Sequence, residues 1–285
     1  MLLVAGCAAT ESSPDGLPEI AVTTGLWADV VSNVACDGLA IIEAVVPPGA
    51  NPHGFEPSLA DRGRMEAADV VVANGLGLEQ GLDDVLAAVE GNGTPVVRVA
   101  ELVRNPLADG EDPHVWFDPV RVADALPTLA AKLVEATDLN ATALEACVTA
   151  YQAELTDLDS EIADLVSTIP PEARRLVTNH DSLGYFADRY GFDVIGTVIP
   201  TSSGLAQASP VALESLADLI SATGVPAIFA EEAESADDIN ALADRVGGVD
   251  VVTLLTGSLG DSGSGADTYV GLLRVTAERI VGALG

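Results

Sequence analysis

Three histidines are the whole imidazole supply of this 285-residue chain. Each stands in a short polar motif: NPHGFEP around His53, DPHVWFDP around His114 and TNHDSLGYF around His180. Neutral imidazole is the commonest metal-ligating side chain, and three of them from distant segments supply most of a zinc or manganese cage. A single histidine reads equally well as a satisfied core residue or a surface one. The three read better as one site, because every copy sits beside Pro, Asp or Asn at an expected loop or strand end, where rigid scaffolds present ligands. Protons compete with a metal for such a site, and a reference imidazole near ~6.5 sets the expected fall in affinity below about pH 6.

These motifs need a scaffold, and short β-rich runs alternating with helical patterns provide it. The runs are EIAVTT (19–24), AIIEAVVP (40–47), VVVAN (70–74) and PVVRVA (95–100), then RRLVTNH (174–180), FDVIGTVI (192–199), AIFAEE (227–232) and DVVTLL (250–255). Near-continuous apolar runs separated by amphipathic helices mark parallel sheets covered on both faces. The expected fold is therefore α/β, in two lobes of about four parallel strands each. Between them Leu144, Cys147, Tyr151, Leu155, Leu158, Ile162 and Leu165 recur at helical steps, with Thr142 and Glu145 patterned as a capping box and Pro170-Pro171 as the stop. A helix over 142–168 would span on the order of 40 Å, which suits a strut joining two lobes. The expected divisions are a tether over 1–18, a first lobe over 19–139, an interlobe helix over 140–169 and a second lobe over 170–285. Ligands in such sheets bind beyond the carboxyl ends of the strands, so His53 and His180 are expected to face the cleft.

Charge narrows the partners. Lys plus Arg number 12 against 44 Asp plus Glu, a formal charge of -32, with Lys132 the only lysine. Nucleic acid and anionic lipid surfaces are repelled by such a field, which reads as solubility in a salty medium with a weak attraction for cations. The opening MLLVAGC resembles the end of a lipoprotein signal in which Cys7 is acylated, and AATESSPDGLP then reads as a tether. An ordinary apolar start with a free thiol is the alternative. Setting Cys7 aside leaves Cys36 and Cys147, which read either as a disulfide in an exported protein or as two buried thiols. GLGLEQG (75–81) has the spacing G-x-G-x-x-x-G rather than that of a dinucleotide turn, and is read as a turn and helix start.

The motifs together resemble the cluster A-I metal-binding solute receptors of bacterial ABC importers, the zinc- and manganese-uptake lipoproteins, over the chain from about residue 19 onward. The resemblance implies two α/β lobes joined by a rigid backbone helix, with the metal held between them. It carries the ligand roles to His53, His114 and His180, and through GADTYVGLL it gives a carboxylate at Asp267, with Asp261 close by in sequence. IFAEEAES places Glu231 near the cleft, with Glu232 as its neighbour, and Glu56 in NPHGFEP is expected nearby. Manganese-type members tend to carry an acidic residue where this chain has His180, so nitrogen donors favour zinc over manganese. The histidine-rich loop of many zinc members is replaced by the short acidic NPLADGED. The implied function is extracytoplasmic metal capture by a lipid-anchored monomer, without catalysis, and delivery to an ABC permease with its ATPase. A three-His zinc hydrolase or lyase is the rival, followed by a manganese receptor or an adhesin of the same fold.

Overall fold

The computed structural model describes residues 16–36, 38–107, 111–199, 209–233 and 237–285. The expected acylation site Cys7, most of the 1–18 tether and part of NPLADGED lie outside the described residues. The strands are β1 (Glu19–Val22), β2 (Ile41–Ala44), β3 (Val70–Ala73), β4 (Val96–Arg98), β5 (Arg175–His180), β6 (Asp193–Ile199), β7 (Ala227–Glu231) and β8 (Asp250–Leu254). They form two four-stranded sheets, ordered β2-β1-β3-β4 and β6-β5-β7-β8, and every paired neighbour is parallel. The two lobes thus repeat one topology. The VVVA of β3 and the AIFAE of β7 are buried at every residue, as strands covered on both faces must be.

The helices are α1 (Gly25–Val34), α2 (Leu59–Ala67), α3 (Asp83–Gly91), α4 (Pro119–Ala136), α5 (Ala141–Val166), α6 (Gly184–Tyr190), α7 (Pro210–Thr223), α8 (Asp237–Val246) and α9 (Tyr269–Leu284). Helix α5 runs for 26 residues between the two sheets, close to the span its periodicity predicts. Its cap differs from the expected Thr142–Glu145 box. Asn140 is the N-cap and its side chain accepts from the Ala143 N–H at 3.0 Å, which fixes the start just upstream of Thr142. Its buried face is Leu144, Val148, Tyr151, Leu155, Leu158, Asp159, Ile162 and Val166.

The largest hydrophobic core does not stop at the boundary between lobes. It joins Trp27 and Val30 of α1 to Leu155 and Leu158 of α5, Tyr185 and Phe186 of α6, Phe229 of β7, and Tyr269 and Leu273 of α9. Smaller separate cores fill the outer side of each sheet, around Val71, Leu82 and Leu86 in one and Val198, Ile228 and Leu242 in the other. Polar ties reinforce the seam. Arg121 on α4 binds Asp118 at 2.7 Å and Asp188 on α6 at 2.8 Å, and Arg189 on α6 pairs with the buried Asp159 of α5.

Cys36 and Cys147 form a disulfide, with Cα atoms 5.6 Å apart and a separation of 111 positions in sequence. It fastens the end of α1 to α5. A closed loop of that size restricts the unfolded chain strongly, so reduction is expected to lower stability by about 2–4 kcal/mol. Urea unfolding of oxidised and reduced protein measures this directly, and superimposable curves would contradict it.

Candidate metal centre

Each histidine is delivered by a local device. Asn51 caps a short 3-10 turn over Pro52–Gly54, its side chain accepting from the His53 N–H at 2.9 Å. Asp112 Oδ1 accepts from the His114 backbone N–H at 2.9 Å and from its Nδ1 at 2.7 Å. His114 in turn leads the 3-10 turn Val115–Phe117, after which Asp118 caps α4 with Pro119 at the first helical position. His180 is the last residue of β5, at the carboxyl end where these sheets bind ligands. The loop 75–81 is the turn its spacing predicts. The buried Glu79 carboxylate accepts from Thr23 at 2.6 Å and from the backbone N–H groups of Asn74 and Gly75 at 2.7 and 3.2 Å. Gly81 has to be glycine, since a Cβ there would lie 2.2 Å from the Phe55 carbonyl oxygen. The loop carrying His53 is thereby packed against the 75–81 loop.

The structure brings the three imidazoles together, all buried. His114 Nε2 lies 3.3 Å from His53 Nε2 and 3.2 Å from His180 Nε2, and among the described residues these three form the group able to hold a metal ion. Nitrogens bound to one tetrahedral ion at ~2.0–2.1 Å stand ~3.3 Å apart, so the spacing fits zinc geometry. The protons explain why the spacing needs an ion. A carboxylate only accepts; with Asp112 on His114 Nδ1 and Glu231 Oε1 2.5 Å from His180 Nδ1, each neutral ring spends its N–H away from the centre. Two bare Nε2 lone pairs then face each other, an arrangement that repels unless a cation sits between. Burial, followed by the neighbouring histidines, holds His53 down to about 3, and burial and then His180 do the same for His114. Both rings are therefore neutral at ordinary pH, the form in which imidazole can bind a metal. For Glu231 burial pushes the carboxyl up, but the His180 and Thr256 contacts win and its net shift is downward.

The carboxylates divide differently from expectation. Glu231 lines the cavity of the histidines, with Ser182 donating to Oε1 at 2.9 Å and Thr256 to Oε2. Glu232 and Glu56 are exposed. Asp267 is not brought to the imidazoles, because its Oδ2 accepts from the Gly263 N–H at 2.8 Å and it faces a neighbouring cleft with Thr24 and Ser262. Asp261 is exposed in the same glycine-rich segment. Three residues escaped the sequence reading. Asp112 stands two residues before His114, in the spacing of an Asp whose side chain caps the following backbone. Trp116 donates from Nε1 to the Thr256 carbonyl at 3.0 Å, while Tyr269 donates to the Trp116 carbonyl at 2.6 Å, and both are long-range contacts without a local signature.

A cavity of about 10 Å3 surrounds the cluster, room for an ion and at most a water and too small for an organic solute. A two-lobed α/β protein with a buried ion-sized site between its sheets is the class that fold and site define. The chain belongs to the family described as zinc-uptake complex component A, periplasmic, whose model matches residues 20–283. It is similar to the zinc-binding protein TroA of Treponema pallidum, 32% identical over 96% of this chain and 91% of that one. It is also similar to the manganese-binding lipoprotein MntA of Halalkalibacterium halodurans, 31% identical over 99% of this chain and 95% of the relative. The solved structure of periplasmic TroA superposes with a TM-score of 0.88 over 95% of this chain and all of that one. These are extracytoplasmic transport receptors rather than enzymes, which sets the hydrolase and lyase reading aside. Among the described residues no helix is long and apolar enough to cross a membrane.

Proposed function

We propose that this chain captures zinc outside the cytoplasmic membrane and hands it to an ABC permease driven by its ATPase, with His53, His114 and His180 as the ligands and Cys7 as the lipid attachment of a monomeric receptor. The observation that carries the reading is the pair of bare imidazole nitrogens 3.2 Å apart, each ring held by a carboxylate on its far side. Zinc is favoured over manganese because every converging donor is nitrogen, whereas manganese suits oxygen sites. Similarity to TroA, named for zinc, supports this; MntA, named for manganese, supports the wider receptor class.

The test is a melting series on metal-free protein. A ligand that binds only the folded state stabilises it by about 2.7 kcal/mol at a hundredfold excess over its dissociation constant. Zinc is expected to raise the melting temperature at micromolar concentration, manganese only at much higher concentration, and calcium not at all. Equal responses to zinc and manganese would overturn the choice of zinc. No response to either would overturn the receptor reading.

A further inference from the structure

Resting on the three-histidine reading above, we infer that the buried Asn74, at the end of β3, is a positioning residue for His114 that acts through the peptide from which the ring projects. The His114 backbone lies at φ -82°, ψ 41°, outside the helical and extended regions, and such a conformation persists where its surroundings hold it. Two side chains do so from opposite sides of one peptide. Asp112 Oδ1 accepts from the His114 N–H at 2.9 Å, and Asn74 Nδ2 donates to the Pro113 carbonyl at 3.0 Å. Pro113 adds a fixed φ of its own. The Pro113–His114 peptide is thereby pinned at both of its polar atoms, and with it the direction in which the His114 side chain leaves the chain. The ring then needs only its Nδ1 contact with Asp112, at 2.7 Å, to turn Nε2 toward the other two imidazoles.

Asn74 is itself anchored. Its N–H donates to Glu79 Oε1 at 2.7 Å and its carbonyl accepts from the Ala100 N–H at 2.9 Å, so its backbone is tied to the chain on either side. Trp27 sets the amide: indole Nε1–H can only donate, so the atom facing it at 2.8 Å is the Asn74 oxygen, and the nitrogen is turned to Pro113. A purely local role, closing its own turn, accounts for the bond to the Gly75 carbonyl at 2.9 Å. It does not account for partners 47 and 39 residues away, on α1 and on the segment that carries His114. The 75–81 turn, closed by Glu79, thus gains a use beyond packing against the His53 loop. It fixes Asn74, and Asn74 fixes His114.

The test combines zinc calorimetry with nitrogen NMR of the imidazoles in metal-free full-length protein, where three histidines give few signals to assign. Asn74→Ala is expected to weaken zinc binding by about tenfold, the low end for a residue that orients a ligand. In the metal-free protein it is expected to turn His114 from a single Nδ1–H tautomer into a mixture, with the His180 signals unmoved. Trp27→Phe keeps the amide but frees it to flip, and is expected to give the same His114 change to a smaller degree. Weaker zinc binding with an unchanged His114 tautomer would assign the loss to general destabilisation and overturn the inference, as would unchanged affinity in Asn74→Ala. Should Asn74→Ala fail to fold, the Trp27→Phe spectrum decides, and an unchanged His114 pattern there would overturn it. An unaltered chain that binds no zinc would overturn the receptor reading, while the tautomer measurement still decides the role of Asn74.

Discussion

His114→Ala is expected to weaken zinc binding by on the order of a thousandfold, about 4 kcal/mol, with the metal-free fold retained. His114 is the middle of the cluster, since its Nε2 is the atom within 3.3 Å of both other imidazoles. Without it, one nitrogen on the 3-10 turn of His53 and one at the end of β5 remain, and both of the close nitrogen pairs are gone. The ring sits at the head of a 3-10 turn rather than in a strand or helix interior, so its loss leaves the core cluster of Trp116, Val122 and Leu126 in place. Glu231→Gln is expected to cost less, about 10–100-fold, because an amide can still hold the His180 ring but supplies no charge. Calorimetry on both variants checks the ordering. Equal losses would mean that Glu231 itself ligates the ion, and an unchanged affinity in His114→Ala would remove that ring from the site.

The metal-free protein is expected to lose stability steeply as pH falls below 6.5. His53 and His114 are held at about 3 in the folded chain against 6.5 in the unfolded one. Between those values the unfolded state takes up protons that the folded state refuses, so each histidine removes up to about 1.4 kcal/mol per pH unit on the way down. Their stability contribution is complete above 6.5 and is lost across the window toward 3. Glu79, pushed upward by burial, works in the opposite sense from 4.5 upward, one group against two, so the net slope keeps the histidines' sign. Urea midpoints at pH 7.5, 6.5 and 5.5 measure it, and a flat series would show that the rings are solvated. The same depression bears on metal retention. Proton competition that a reference imidazole places below about pH 6 moves lower, and the loaded protein is expected to hold zinc further into acid.

Much of this was legible in the residues. The eight strands announce themselves as apolar runs such as VVVA and AIFAE, because a doubly covered strand has no solvent face to alternate with. The histidines are legible because the chain has no others. What escaped depends on distance or on a surplus of one residue type. Among 44 acidic residues, nothing local distinguishes Asp267, whose carboxylate serves its own loop, from Glu231, which ends a buried strand against His180. Helix α5 shows the finer limit. Its periodicity places Cys147 and Leu165 on the apolar stripe, whereas Val148 and Val166 are the buried neighbours, since packing on three helices selects a broader face than one row. The Trp116–Thr256 bond spans 140 residues and leaves no trace in either segment.

The core that runs unbroken from α1 to α9 has a thermodynamic consequence. Two lobes that each owned a core would melt in two steps, and an ion between them would protect only the weaker step. Here the residues that support His114, among them Trp116 and Phe117, belong to the same apolar body as Phe229 and Leu273 in the other half. The free energy of binding one ion is therefore shared by the whole cooperative unit. Loading and unloading this receptor changes how often the entire seam opens, and slow amide exchange on both sides of it reports a single ion bound between them.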